Sequence, residues 1–119
     1  MVTVQYTPFN QITPLTLCVQ GHALYGQAGE DILCSAISIL MHTAAKGVTQ
    51  LEEQGKLQGE SVISLSPGQG CITCLPKPSA ETELATMMQT VVLGLSLLAN
   101  YYPKYVTLLP IETQKGYGA

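Results

Sequence analysis

Residues 31–54 read DILCSAISILMHTAAKGVTQLEEQ, and this stretch decides the fold. Its length is that of a long helix, and the part from Ile32 to Ala45 carries no formal charge. A helix that is apolar around most of its circumference is buried on more than one side. The stretch therefore predicts a helix over 31–54, ended by Gly55, that packs on a sheet and against a second helix or a partner.

Two strands and a loop precede this helix. Apolar and polar residues alternate over 2–6 and again over 15–20, and the turn residues Pro8 and Asn10 lie between the two segments. Such alternation is typical of half-buried strands, so we expect a hairpin. Residues 21–29, GHALYGQAG, contain three glycines and predict a loop that leads into the helix.

Two further strands and a second helix follow the first helix. Residues 62–65 and 71–75 predict strands on either side of a Pro-Gly-Gln-Gly turn, and residues 105–109 predict a short edge strand. The second helix begins near Pro78 and ends before Pro103, and its core face is predicted to consist of Leu84, Met87, Met88, Val91, Leu95 and Leu98. The order ββαββα(β) predicts a single α+β domain over 1–119, with two layers, in which two helices pack on a mostly antiparallel sheet.

Charge and composition limit the partners of the chain. Charged residues make up 11% of it, the net charge is −3, and all five basic residues are lysines. Nucleic-acid binders usually carry a basic patch, often with arginine, so we expect no nucleic-acid partner. A charge fraction so far below the usual quarter indicates either a large apolar core or an apolar surface that a partner covers. We favour the second explanation, with a second copy of the chain as the partner, which makes a homodimer.

The sequence also predicts a cytoplasmic protein without a membrane contact. The first ten residues, MVTVQYTPFN, lack the basic start and apolar run of a signal peptide. The apolar run 91–102, VVLGLSLLANYY, is too short to span a membrane. In a reducing cytoplasm we expect the four cysteines to stay outside disulfides.

The residues that carry chemistry are Cys34 and His22. A cysteine nucleophile must be ionised or lie beside a base, and a helix N-terminus stabilises its thiolate. Cys34 lies in the first turn of the predicted helix, and the glycine-rich loop lets His22 fold back over that turn. His42 lies roughly 12 Å further along the helix axis, so we do not expect it to reach the thiol. The plainer alternative is that Cys34 is a small buried apolar residue and His22 a loop residue.

Cys71 and Cys74 form a Cys-x-x-Cys pair, a pattern found in zinc and redox sites. A structural zinc site needs four ligands, and no second pair has a suitable spacing. Residues three apart in a strand point to opposite faces of the sheet, whereas redox pairs of this kind lie at a helix start. We therefore expect neither a metal nor a cofactor, and we expect Cys18 to be a strand residue without a partner.

Residues 21–40, GHALYGQAGEDILCSAISIL, resemble the signature of the ribosomal-processing cysteine protease family, known as Prp. The family pattern is Gly-His-Ala, a glycine-containing loop, then Gly-x-Asp-Ile-Val-Cys-Ala-Ala-x-Ser. This chain departs from it at Leu33 and Ser35, where the family has valine and alanine. It matches at Gly21, His22, Ala23, Gly29, Asp31, Ile32, Cys34, Ala36 and Ser38.

The resemblance implies a homodimeric cysteine endopeptidase with a Cys–His dyad. Family members remove a short N-terminal extension from large-subunit ribosomal protein twenty-seven and cut after a pair of aromatic residues. Carried over to this chain, Cys34 is the nucleophile and His22 the general base. Asp31 either caps the helix or orients His22, and Ser38 either lines the site or bonds to the helix backbone. Tyr25, in the loop, either contacts the substrate or is a half-buried loop residue.

A rival function stays open at this point. A chain with this fold and no activity would serve as a non-catalytic dimeric module that binds a ribosomal protein or an assembly factor. The presence of both His22 and Cys34 favours the enzyme, because an inactive chain would be free to lose either residue.

Overall fold

The computed structural model describes residues 1–8, 14–21 and 32–111. Over these ranges two long helices lie on one face of a sheet, which confirms the predicted α+β architecture with two layers. The strands are β1 (Val2–Tyr6), β2 (Leu15–Gly21), β3 (Val62–Ser66), β4 (Gln69–Cys74) and β5 (Val106–Pro110). The helices are α1 (Ile32–Glu53) and α2 (Glu81–Tyr101), and a 3-10 helix at Pro78–Ala80 leads into α2.

The sheet has the strand order β3-β4-β2-β1-β5. β1 and β2 form the predicted hairpin, β3 and β4 form a second one, and β2 pairs with β4 between them, all antiparallel. β5 is the predicted edge strand, and it pairs with β1 in parallel. The prediction of a mostly antiparallel sheet is confirmed.

The core lies between the sheet and the two helices. Successive side chains of a strand point to opposite faces of the sheet, so every second residue faces the helices. Val4, Leu17 and Ile72, one from each of the three central strands, are fully buried on that face. The predicted core face of α2 is confirmed, since four of its six residues are buried and the other two pack partly buried against the core. Burying one such aliphatic side chain stabilises the fold by about 1.5–3 kcal/mol.

The two helices run antiparallel and approach each other closely at two glycines. Met87 of α2 lies against Gly47 of α1, and Leu40 of α1 lies against Gly94 of α2. The earlier contact residue of α1, Leu40, meets the later one of α2, Gly94, and the later one of α1, Gly47, meets the earlier one of α2, Met87. The two helices therefore run in opposite directions. The N-terminal half of α1 therefore lies beside the C-terminal half of α2.

Helix α1 ends as the sequence predicts, at a glycine. Gly55 has a φ of 75°, its N–H donates to the carbonyl of Glu52 (2.9 Å), and the N–H of Lys56 donates to the carbonyl of Leu51 (3.0 Å). This pair of bonds is the Schellman arrangement, which satisfies carbonyl groups that the helix leaves without partners. The last helical residue is Glu53, one residue before the predicted end, and the predicted cap Asp31 lies outside the described residues.

Both helices are long and apolar enough, by length and composition alone, to cross a membrane. The apolar run 91–102 is part of the longer helix α2, which begins at Glu81 and extends the apolar stretch toward the N-terminus. The core helix of a water-exposed domain passes the same test of length and composition. Both helices supply residues to the core under the sheet.

Candidate active site

Cys34 is the third residue of α1 and lies half-buried in its first turn, as predicted. The first N–H groups of a helix have no acceptor within the helix, and the helix dipole places positive potential there. Both effects favour the negative charge of a thiolate and of an oxyanion. The position of Cys34 therefore suits a nucleophile.

Cys34 lines a groove of about 490 Å³. One side is α1, which contributes Cys34, Ser38 and His42 at intervals of four residues. The other side is residues 65–70, the end of β3 and the turn into β4. A volume in this range is typical of a ligand site. Residues 65–70 carry no signal in the sequence that links them to the site, because only the pairing of β4 with β2 brings that turn to the groove.

The last residue of β2, Gly21, lines the same groove. Its N–H donates to the carbonyl of Gly68 (2.9 Å), which ties the end of β2 to the turn between β3 and β4. The chain continues from Gly21 directly into His22. The predicted base thus follows, in sequence, a residue of the groove that holds Cys34.

Three predicted site residues, His22, Tyr25 and Asp31, lie outside the described residues. Their predicted roles stay predictions. Cys34 and Ser38 are described, and the structure brings them together in the groove.

Gly21 has a backbone conformation that other residues rarely adopt. Its φ is 106°, and a Cβ at this position would collide with the carbonyl oxygen of Met1. We expect Gly21→Ala to lower the free energy of unfolding by about 2–4 kcal/mol, through backbone strain and the collision together. Urea unfolding followed by circular dichroism measures this loss.

Gly59 offers a matched control for that substitution. Its φ is 73°, and no described atom lies within 4 Å of the position that a Cβ would take. Gly59→Ala should therefore show the backbone cost alone, about 1–2 kcal/mol. An equal loss in the free energy of unfolding of the two variants would mean that the collision at Gly21 adds no cost to the backbone strain.

Ser38 and His42 lie next to each other on the α1 side of the groove. Nδ1 of His42 lies 2.8 Å from the carbonyl oxygen of Ser38 and 3.4 Å from its Oγ. The reading of Ser38 as a residue that lines the site fits its place in the groove. The place of His42 in the groove was not predicted, although its spacing of four residues from Ser38 is a signal for it, because residues four apart share one side of a helix.

Two of the four cysteines form a disulfide, so the expectation of no disulfide is wrong. Cys18 of β2 lies directly opposite Cys71 of β4 in the antiparallel register, and their sulfurs are bonded. The two cysteines are 53 residues apart in sequence, and the pairing of β2 with β4 brings them together. Cys18 is therefore not the strand residue without a partner that the sequence predicts.

Cys74 is buried on the helix side of the sheet, so Cys71 and Cys74 point to opposite faces as predicted. Burial, together with the negative charge of Glu52, raises the pKa of the Cys74 thiol to about 11. At neutral pH this thiol stays protonated and is a poor nucleophile. Within the described ranges, no three His, Cys, Asp or Glu side chains lie close enough to hold a metal ion.

Comparison with protein families gives a match over most of the chain. The family model described as "Cysteine protease Prp" matches residues 1–107. The matched range includes both His22 and Cys34, strands β1 to β4, both helices and the first two residues of β5. A comparison with curated proteins gave no match.

Solved structures share the fold. The essential ribosomal processing protease Prp from S. aureus, in complex with a covalently linked product peptide, has a TM-score of 0.73 and 21% identity, over 93% of this chain and 100% of that chain. The same protease with a substrate peptide has a TM-score of 0.68 and 20% identity, with the same coverage. A protein from Streptococcus mutans has a TM-score of 0.66 and 22% identity, over 95% of this chain and 96% of that chain.

Proposed function

Because the model of the cysteine protease Prp family matches residues 1–107, the chain belongs to that family, and we propose that it removes the N-terminal extension of large-subunit ribosomal protein twenty-seven. It cuts after a pair of aromatic residues in that extension. It acts in the cytoplasm, where reducing conditions would open the bond between Cys18 and Cys71 to two thiols. The observation that carries the proposal is the place of Cys34, at the start of a 22-residue helix and in a groove of about 490 Å³.

The reaction begins with proton transfer from the thiol of Cys34 to His22. The thiolate sulfur attacks the carbonyl carbon of the scissile bond, and N–H groups in the first turn of α1 donate to the oxyanion. His22 then gives its proton to the leaving amine, and the N-terminal product stays on the sulfur as a thioester. Water adds to this thioester with His22 as base, which releases the carboxylic acid and restores the thiol.

The groove suits a peptide with bulky apolar side chains. Ile37, Met41 and Leu65 line it, and none of its described lining residues is a lysine, an aspartate or a glutamate. A mostly apolar lining with a few polar groups is typical of ligand sites. One aromatic side chain buries 150–250 Å², so an aromatic pair next to the scissile bond supplies much of the apolar contact.

Three further residues support the dyad in this proposal. Ser38 lies one turn after Cys34 on the helix and contacts the substrate from the wall of the groove. Tyr25 contacts the substrate from the loop. Asp31 either caps α1 or orients His22, and its replacement by asparagine separates the two roles, since asparagine still caps a helix.

The enzyme acts as a homodimer through a surface that we call the apolar helix face. This face consists of Ile32 and Ile39 of α1 with Leu93, Leu97 and Tyr101 of α2, and each of these side chains is more than half exposed in the single chain. Because the helices run antiparallel, the five residues share one half of the helix layer. Exposed apolar patches of this kind mark interaction sites.

Charged residues are confined to the other half of the helix layer. The helices carry five formal charges, on Lys46, Glu52, Glu53, Glu81 and Glu83. The core of an interface is depleted in charge, and the apolar helix face has this property. In an isologous dimer the same patch on both copies meets itself, so we place a second copy of the chain on this face.

The function is tested with a synthetic peptide that carries the ribosomal extension and its aromatic pair. We expect mass spectrometry to find one cut, after the second aromatic residue. Replacing both aromatic residues with alanine should lower kcat/KM at least tenfold, because the groove loses two large apolar contacts. The control peptide carries two alanine replacements at the far end of the extension. No cleavage of the extension peptide, or a cut at another bond, would contradict the proposal.

A further inference from the structure

A row of polar side chains on α1 extends the groove beyond the nucleophile. Cys34, Ser38 and His42 follow one another at intervals of four residues, and all three line the groove. Eight residues of helix span roughly 12 Å, and an extended peptide advances about 3.3 Å per residue. A substrate that lies along this row from Cys34 therefore reaches His42 with its third or fourth residue from the scissile bond.

The imidazole of His42 is held in one tautomer. Its Nδ1 lies 2.8 Å from the carbonyl oxygen of Ser38. A carbonyl can only accept, so the Nδ1–H donates to it, and in the neutral ring Nε2 is left as the hydrogen-bond acceptor. His42 is exposed on the helix, and its ring can therefore meet a ligand without any rearrangement of the core.

From this arrangement we infer that His42 is a substrate-binding residue, whose Nε2 accepts a hydrogen bond from a main-chain N–H of the substrate three or four residues from the scissile bond. The inference rests on the proposed function, because it requires a peptide in the groove, and it adds a subsite to that same site. At roughly 12 Å from Cys34 along the helix, His42 takes no part in the proton transfer. It contributes to binding, whereas His22 contributes to the reaction.

Substitution of His42 tests this role by separating KM from kcat. His42→Ala should raise KM about three- to tenfold, the range expected for one hydrogen bond, with kcat unchanged. His42→Gln keeps an acceptor oxygen and should recover most of the loss. The matched control is Thr43→Ala, at an exposed neighbour whose Oγ donates to the carbonyl of Ile39 and not into the groove. Thr43→Ala should keep the KM of the unchanged enzyme.

A second arm locates the donor on the substrate. Extension peptides are prepared with one main-chain amide N-methylated at a time, on both sides of the scissile bond. Methylation of the amide that donates to His42 should raise KM in the unchanged enzyme and have no further effect in His42→Ala. That amide should belong to the third or fourth residue from the scissile bond.

Two results would overturn the inference. One is a fall in kcat in His42→Ala with KM unchanged, and the other is a methylation effect that is the same at every position in both proteins. Peptide affinity measured by fluorescence anisotropy in the Cys34→Ala background gives an independent answer, and His42→Ala should weaken it by the same factor. If the unchanged enzyme cuts no extension peptide, the proposed function fails, while this affinity still decides for or against His42.

Discussion

Replacing Cys34 with alanine is expected to abolish cleavage of the extension peptide, with a loss of at least about 10⁴-fold in kcat. In the proposed mechanism the sulfur of Cys34 is the atom that attacks the carbonyl, and alanine offers no nucleophile in its place. Circular dichroism and peptide affinity should stay close to those of the unchanged protein, because Cys34 is only half-buried and the groove keeps its other contacts. Initial rates measured by mass spectrometry give the comparison.

The predicted catalytic partner of Cys34, His22, is tested in the same assay. His22→Ala should lower kcat by on the order of a hundredfold or more, the usual loss for a positioned base. In the proposed mechanism Cys34 and His22 act as a unit, so the double variant should be little worse than Cys34→Ala alone. Cys74→Ala is the control, because that thiol is buried on the helix side of the sheet, outside the groove, and its pKa is raised to about 11. Retained cleavage in Cys34→Ala would show that the nucleophile lies elsewhere, and Ser38 would be the next residue to replace.

The second large effect is expected on assembly. Leu97→Glu places a charge in the centre of the apolar helix face, and in an isologous dimer it does so twice. Burial of an unpaired carboxylate is costly, so we expect the dimer dissociation constant to rise by at least about a hundredfold. Sedimentation equilibrium across the micromolar range measures the shift from dimer to monomer.

A matched control lies on the same side of the same helix. Thr86 is exposed and precedes Leu97 by three helical turns, in the half of the helix layer that carries the charges. Thr86→Glu adds the same charge and should leave the dimer intact. Unchanged protein that sediments as a monomer, or Leu97→Glu that sediments as the unchanged dimer does, would contradict the proposed interface.

The order and type of the elements could be predicted from the sequence because each has a local signal. Alternation marks β1 and β2, an uncharged apolar stretch marks α1, and Gly55 marks its end. The strand order could not be predicted, because the pairing of β2 with β4 joins segments far apart in sequence. The disulfide between Cys18 and Cys71 was missed for the same reason, since it follows from that register.

The candidate site was predicted only where its residues lie close in sequence. Cys34 and Ser38 belong to one helix turn and one motif, and both line the groove. Gly68 and Gly70, on the other side of the groove, carry no chemistry that the sequence could link to a thiol. They reach the site because the N–H of Gly21, at the end of β2, donates a hydrogen bond to the carbonyl of Gly68 in the turn between β3 and β4.

The most direct test of the central claim is a search for the acyl group on the enzyme during turnover. The protein is mixed with excess extension peptide, quenched in acid and digested with a glutamate-specific protease, which releases residues 31–52 with Cys34 as their one cysteine. We predict that this fragment carries the N-terminal product as a thioester on Cys34, with the added mass of that product less one water. Cleavage that proceeds while Cys34 stays unmodified, or an acyl group found on Ser38, would contradict the account.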